Sequence, residues 1–250
     1  MPDDIAIRID SVSKTYKGSI YAAVDDISLD IPRHSIFGLL GPNGAGKTTT
    51  ISILCGLMKY DKGNIFVNGM DLEGNYKNIR RRIGLVPQDI ALYETLTARE
   101  NLRFIAEMYG LKGMEMRSRV DECLDLVGLV KNRHKQIRKY SGGMKRRINL
   151  AAAILHKPEI LILDEPTTGV DVQSRNTILE FLKEINNNGT TIIYTSHYLE
   201  EAQNLCNEIA IIDHGKVIIR GKTREIIDSE AAYSDLESVF LHLTGRRLRD

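Results

Sequence analysis

The apolar positions of this chain keep one period near its start and another in its middle. Ile5-Ala6-Ile7-Arg8-Ile9 alternates, and Ile27, Leu29 and Ile31 recur at period two within Val24 to Ile31, so two half-buried strands are expected there. Ser35-Ile36-Phe37-Gly38-Leu39-Leu40 is instead continuously apolar and stops at Gly41, the pattern of a strand covered on both faces. A helix from Lys47 to Leu57 should follow it. Gly63 to Met70 reads as a strand closed by an Asn-Gly turn, and Ile83 to Pro87 as another short strand.

From Thr97 to Leu155 the period becomes helical. Thr97-Ala98-Arg99-Glu100 is a capping box, in which the hydroxyl caps the helix start and the Glu reaches back. A second helix is expected from about Met116 to Val127, ending at Gly128. Ser141 is placed to cap a third, carrying Ile148, Ala151, Ala152 and Leu155 on one face, with Pro158 beyond its end. Beyond it, strands are expected at Ile160 to Leu163, Thr190 to Thr195, Ile209 to Ile212 and Val217 to Ile219. Helices are expected from Val172 to Asn186 and from Tyr198 to Asn207, with short helical material at the end. The whole reads as α/β, with a β-rich front and an inserted helical block.

Composition narrows this little. The 250 residues are 42% hydrophobic and 27% charged, and the net charge of +1 argues against a general phosphate-driven nucleic-acid binder. The basic runs Arg80-Arg81-Arg82, Lys145-Arg146-Arg147 and Arg246-Arg247-Leu248-Arg249 read as solvated faces. Cys55, Cys123 and Cys206 have no metal or redox spacing; Cys55 and Cys123 fit core positions, and a reducing cytoplasmic setting is expected. The acidic start MPDDIAIRID lacks the apolar stretch of a signal peptide. No apolar run approaches the ~20 residues that span a bilayer, so any membrane partner should be a separate polypeptide.

The chemistry is concentrated in a few motifs. Gly41-Pro42-Asn43-Gly44-Ala45-Gly46-Lys47-Thr48 fits G-x-x-x-x-G-K-[ST], between an expected strand and an expected helix. Glycines at that spacing turn backbone N–H groups onto phosphate, the helix dipole adds its positive end, Lys47 reaches the β and γ phosphates, and Thr48 offers a hydroxyl to Mg²⁺. Ile160-Leu161-Ile162-Leu163-Asp164-Glu165 delivers two carboxylates to the end of a buried strand: Asp164 suits the metal, and Glu165 could take a proton from an attacking water. Gln88 offers an amide oxygen to a metal or a water, and His197 could reach a γ-phosphate. Ser141-Gly142-Gly143, at another helix start, is a second potential anion site.

The order GPNGAGKTTT, YSGGM, LILDEP, TSH resembles the ATP-binding cassette (ABC) ATPases along essentially the whole chain. The resemblance implies a single domain over 1–250: a P-loop NTPase core of mostly parallel sheet, an N-terminal antiparallel β subdomain, a helical subdomain at about 92–155 and a C-terminal tail at 223–250. It implies ATP and Mg²⁺ as ligands. Position by position, it implies adenine stacking by Tyr16 and nucleotide binding by Gly41 through Thr49. Thr48, Gln88 and Asp164 would hold the metal, Glu165 and His197 would act in hydrolysis, and Asp171 would lie in a loop at a dimer interface. Ser141, Gly142 and Gly143 would meet the ATP held by a second ABC subunit. Where the family usually has Leu-Ser-Gly-Gly-Gln and Ser-Gly-Leu-Asp, this chain has Tyr140-Ser141-Gly142-Gly143-Met144 and Thr168-Gly169-Val170-Asp171. With Lys145-Arg146-Arg147 and the tail VFLHLTGRRLRD, these features look like the drug- and lipid-exporter branch. That implies a cytoplasmic ATPase held at the membrane by a separate permease, with Ile90, Leu92 and Tyr93 as candidate docking residues and no nucleic acid as partner. The alternatives are an importer ATPase and a soluble ABC ATPase acting on ribosomes or DNA. Against the latter stand one cassette rather than two, no heptad insertion and the near-zero net charge.

Overall fold

The computed structural model describes residues 4–196 and 198–245. Strands β1 (Ile5–Thr15) and β2 (Ala22–Pro32) pair antiparallel. The chain then leaves this sheet through β3 (Ile36–Leu40) and helix α1 (Lys47–Leu54) and returns to it as β4 (Lys62–Val67) and β5 (Met70–Asp71). Asn68 and Gly69, with φ of 49° and 79°, make the tight turn between β4 and β5 that their dipeptide predicts. Helix α2 (Leu72–Arg80) was not expected. Gly74 and the non-helical Asn75 interrupt its period, and it is held by the Asp71 side chain, which accepts from the Gly74 N–H, and by fully buried Leu72 and Ile79.

The helical block is α3 (Ala98–Met108), α4 (Gly113–Leu126) and α5 (Gly142–Ile154), entered from strand β6 (Ile83–Val86) and left through β7 (Ile160–Leu163). The capping box at Thr97 and Glu100 forms as read, and Ser141 caps α5 by accepting from the Met144 N–H. The rest is α6 (Val172–Asn187), β8 (Thr191–Tyr194), α7 (Leu199–Leu205), β9 (Glu208–Asp213), β10 (Lys216–Lys222), α8 (Thr223–Ile227) and α9 (Leu236–Thr244). Val239 and Phe240 of the tail are fully buried in α9.

The second sheet has the order β10-β9-β3-β8-β7-β6 and is parallel except for β10. It divides the interior into two cores because its strands are apolar on both faces. In β7, Ile160 and Ile162 face the antiparallel sheet, while Leu161 and Leu163 face the helices. Every carboxyl end of the parallel strands emerges on one edge, and β8 lies between β3 and β7 there. All three cysteines are free and buried, with Cys55 pushed up to about 12 and Cys123 to about 11 by burial, so they are packing residues.

One correction concerns charge. Lys145-Arg146-Arg147 is no solvated face. Lys145 pairs with Glu94, Arg146 is buried and donates to the Pro87 carbonyl (3.0 Å), and Arg147 donates to the Val127 carbonyl (2.9 Å). In the first run, Arg82 pairs with Glu159. Arg246, Arg247 and Arg249 lie outside the described residues.

The last turn of α5 depends on another buried cation. Arg119 of α4 is 8% exposed and donates to the carbonyls of Leu155 (2.9 Å) and Ile154 (2.6 Å). Arg119→Ala would strip two buried carbonyls of a charged donor, a loss of about 2–3 kcal/mol. A clearly lower urea midpoint is the expected outcome, and an unchanged midpoint would show that water replaces the guanidinium.

Candidate active site

Loop geometry makes the phosphate cradle. Gly46 has φ of 107°, and a β-carbon there would lie 2.3 Å from the Ala23 carbonyl oxygen; one at Gly41 would lie 2.2 Å from that of Ile212. Only glycines let the loop pass this close to β2 and β9. Lys47 follows as the first residue of α1 and is 5% exposed. Its Nζ donates to the carbonyls of Gly41 (2.6 Å) and Pro42 (3.0 Å), spanning the loop and leaving one of three donors over. Burial lowers its pKa, and the charges of Glu165 and Asp164 oppose that shift.

The parallel register brings the carboxylates to this loop. Asp164 N–H donates to the Val86 carbonyl of β6, and Thr195 N–H to the Leu163 carbonyl of β7, so the three strand ends continue in step. Asp164 and Glu165 are both 5% exposed. Thr48 Oγ1 donates to Asp164 Oδ2 (3.2 Å), and Thr195 Oγ1 donates to Asp164 Oδ1 (2.9 Å) while accepting from the Glu165 N–H (3.0 Å). Glu165 has φ of 51°, a left-handed conformation that turns its side chain away from the path of β7. Gln88, two residues past β6, donates its Nε2 to Glu165 Oε2 (3.0 Å). A carboxylate only accepts, so the amide nitrogen must face Glu165, and the amide oxygen remains for the metal role. Hydroxyl, carboxylate and amide oxygens are the donor set that Mg²⁺ prefers. It needs only one or two carboxylates besides phosphate and water.

A cavity of about 390 Å³ opens over these groups, lined by Tyr16, Ala23, residues 43–49, Gln88 and Glu165. Tyr16 is half exposed, and its hydroxyl is 3.0 Å from Thr49 Oγ1, which fixes the ring at the cavity's rim. His197 lies outside the described residues.

Ser141, Gly142 and Gly143 do not line this cavity. Gly142 and Gly143 lie instead against the start of α6 and the loop before it. A β-carbon at Gly143 would sit 2.2 Å from Ser174 Oγ and 3.4 Å from Asp171 Oδ2, and one at Gly142 3.7 Å from the Gly169 carbonyl oxygen. Asp171 caps α6, accepting from the Ser174 N–H (2.9 Å) and hydroxyl (2.8 Å); those bonds hold its carboxyl below the usual range. The two segments expected at an interface therefore form one surface. Sequence reasoning missed Thr195, Arg146 and Thr168, whose hydroxyl lies 3.5 Å from Glu165 Oε2. A hydroxyl two residues before His197 was the only available sign of Thr195, and nothing in the basic run marked Arg146 as buried.

A phosphate loop, a strand-end Asp and an adjoining Glu at the carboxyl edge of a parallel sheet define an ATPase of the P-loop class. The chain belongs to the ABC transporter family, whose model matches residues 24–168. It binds and hydrolyses ATP. It is 50% identical over 221 residues to the linearmycin resistance ATP-binding protein LnrL of Bacillus subtilis (strain 168), covering 88% of this chain and 70% of LnrL. It is 40% identical over 224 residues to the Nod factor export ATP-binding protein I of Cupriavidus metallidurans, covering 90% of this chain and 73% of that one. Among solved structures, a dimeric post-hydrolysis state of the ATP-binding cassette MJ0796 bound to ADP and Pi matches with a TM-score of 0.79 and 28% identity, covering 86% of this chain and 98% of that chain.

Gly46→Ala tests the cradle. Its β-carbon meets the Ala23 carbonyl at a φ disfavoured for alanine, a strain of about 2 kcal/mol. ATP binding measured by calorimetry should weaken by roughly tenfold or more, with an unchanged far-ultraviolet circular dichroism spectrum. Wild-type affinity would mean that the loop can close without this glycine.

Proposed function

We propose that this chain is the ATP-hydrolysing subunit of a membrane exporter with a drug-like or lipid-like cargo, working as a head-to-tail pair of ABC subunits on a separate permease. The observation that carries this reading is the separation of two anion sites. Lys47, Thr48, Glu165 and Gln88 line one cavity, with Asp164 bonded to Thr48 behind it, while the Ser141 helix start faces elsewhere beside Asp171. In a twofold pair, each surface of one chain meets the other surface of its mate. Ser141, Gly142 and Gly143 then cover the γ-phosphate of ATP seated on the partner's phosphate loop.

In this reading Tyr16 stacks on the base, the backbone N–H groups from Gly41 to Thr49 and the Lys47 ammonium hold the phosphates, and Glu165 orients a water for attack on the γ-phosphorus and accepts its proton as the bond to ADP breaks. Thr48, Asp164 and the Gln88 amide oxygen would hold Mg²⁺, which neutralises charge on the β- and γ-phosphates. His197 contacts the γ-phosphate. ATP favours the closed pair and hydrolysis releases it. We take 92–155 as the helical subdomain, 223–250 as the tail and the whole of 1–250 as one ABC domain.

Among the described residues, no helix is long and apolar enough to cross a membrane, and attachment through a permease on the cytoplasmic face is part of the proposal. A cavity of about 240 Å³ between the phosphate-loop core and the helices, lined by Leu57, Arg80, Leu85, Ala91, Ile105, Tyr109 and Asn149 among others, supports it as the permease seat. Leu57 is 62% exposed there. Tyr93, 56% exposed and edge-on to Phe104, extends the surface, whereas Ile90 and Leu92 are half-buried. The name of the Nod factor export protein supports export as the direction.

Glu165→Gln should abolish hydrolysis, retain ATP binding and give a dimer that persists on size exclusion in ATP; turnover at the wild-type rate would remove Glu165 from this role. In mixed dimers, Ser141→Arg on one chain should inactivate the site containing the other chain's Lys47. Loss confined to the altered chain's own site would contradict the head-to-tail arrangement.

A further inference from the structure

Behind the catalytic edge lies a buried carboxylate that the hydrolysis scheme does not use. Glu201, on α7, is 6% exposed. Its Oε2 accepts from Tyr194 Oη (2.6 Å), Thr167 Oγ1 (2.7 Å) and Ser196 Oγ (3.3 Å). All three donors are buried almost completely. Its Oε1 lies 3.1 Å from Arg175 Nε, and the Arg175 guanidinium sits 4.4 Å from the centre of the Tyr198 ring. Ser196 Oγ also accepts from the Tyr198 N–H (2.9 Å).

Each partner belongs to a segment with a task. Thr167 lies two residues past Glu165, and its neighbour Thr168 reaches the Glu165 carboxylate. Ser196 and Tyr198 are the two chain neighbours of His197. Arg175 lies one turn into α6, the helix that Asp171 caps. A buried carboxyl group is costly without partners, and this one accepts from three hydroxyls with a guanidinium at ion-pair distance. A packing role alone would be met by an apolar side chain.

We propose that Glu201 is a positioning residue for hydrolysis, tying the segment after Glu165, both neighbours of His197 and the Asp171 helix into one register. This rests on the reading of Glu165 as the group that orients water. Displacing Thr167 moves the base of the Glu165 turn, and releasing Ser196 frees the chain on both sides of position 197. Neither change touches the phosphate loop, so ATP should bind normally and turn over slowly.

The test is steady-state ATPase kinetics on the full chain, with ATP affinity measured separately by equilibrium binding. Glu201→Ala should lower kcat about tenfold or more while affinity stays within about threefold of wild type. Glu201→Gln, which keeps an oxygen for the hydroxyls, should recover most of that loss. If Glu201→Ala does not fold, Thr167→Val and Ser196→Ala, each lacking one hydroxyl, should still lower kcat about fivefold at unchanged affinity. Wild-type kcat in both of these variants would overturn the inference, as would affinity falling in parallel with kcat throughout the series. Glu165→Gln is the control: if it is inactive and the other variants are wild type, only the role of Glu201 fails. If it turns over ATP normally, the reading of Glu165 fails and takes this inference with it.

Discussion

One hydroxyl proton and one lone pair, both on Thr195, fix the relation of the two carboxylates to each other. Thr195 Oγ1 donates to Asp164 and accepts from the Glu165 N–H at the end of a strand that separates the phosphate loop from both. The parallel register of β3, β8 and β7 is what makes that bond available. Asp164 is thereby left with its other oxygen toward Thr48, and Glu165 turns toward Gln88. The metal and water roles proposed for Asp164 and Glu165 fall on adjacent residues because the chain reverses its side-chain direction between them.

A buried cation ties the helical block to this edge. Arg146, on the same helix that Ser141 caps, reaches the Pro87 carbonyl next to Gln88. Burial lowers its pKa, with Asp89 and Glu165 opposing. The segment after β6 is thereby bonded directly to the second turn of α5. At Gly143 no side chain separates α5 from Ser174 and the Asp171 cap.

What could be read from the chain was whatever local chemistry dictates. The phosphate loop was legible because backbone approach to β2 and β9 demands glycine at set positions. β3 and β7 were legible because covering both faces requires continuous apolar runs, and the Thr97 box because it is closed within four residues. Residues whose role is created by pairing distant segments were not. Thr195 matters because β8 falls between β3 and β7, and Glu201 collects partners from three separate elements. Arg146 looks like any surface arginine until the chain folds over it. Helix α2 escaped because its interior breaks the period, and an Asp71 cap and two buried ends hold it in place.

Glu165 also sits in a backbone region that ordinary side chains avoid, at φ of 51°. Replacement by glycine or asparagine would relieve roughly 1 kcal/mol of that strain. A search for heat-resistant variants scored on unfolding alone would thus be drawn to a position that the proposed hydrolysis needs. In the proposed role, durability and turnover pull against each other at this residue, and the sequence found here favours turnover.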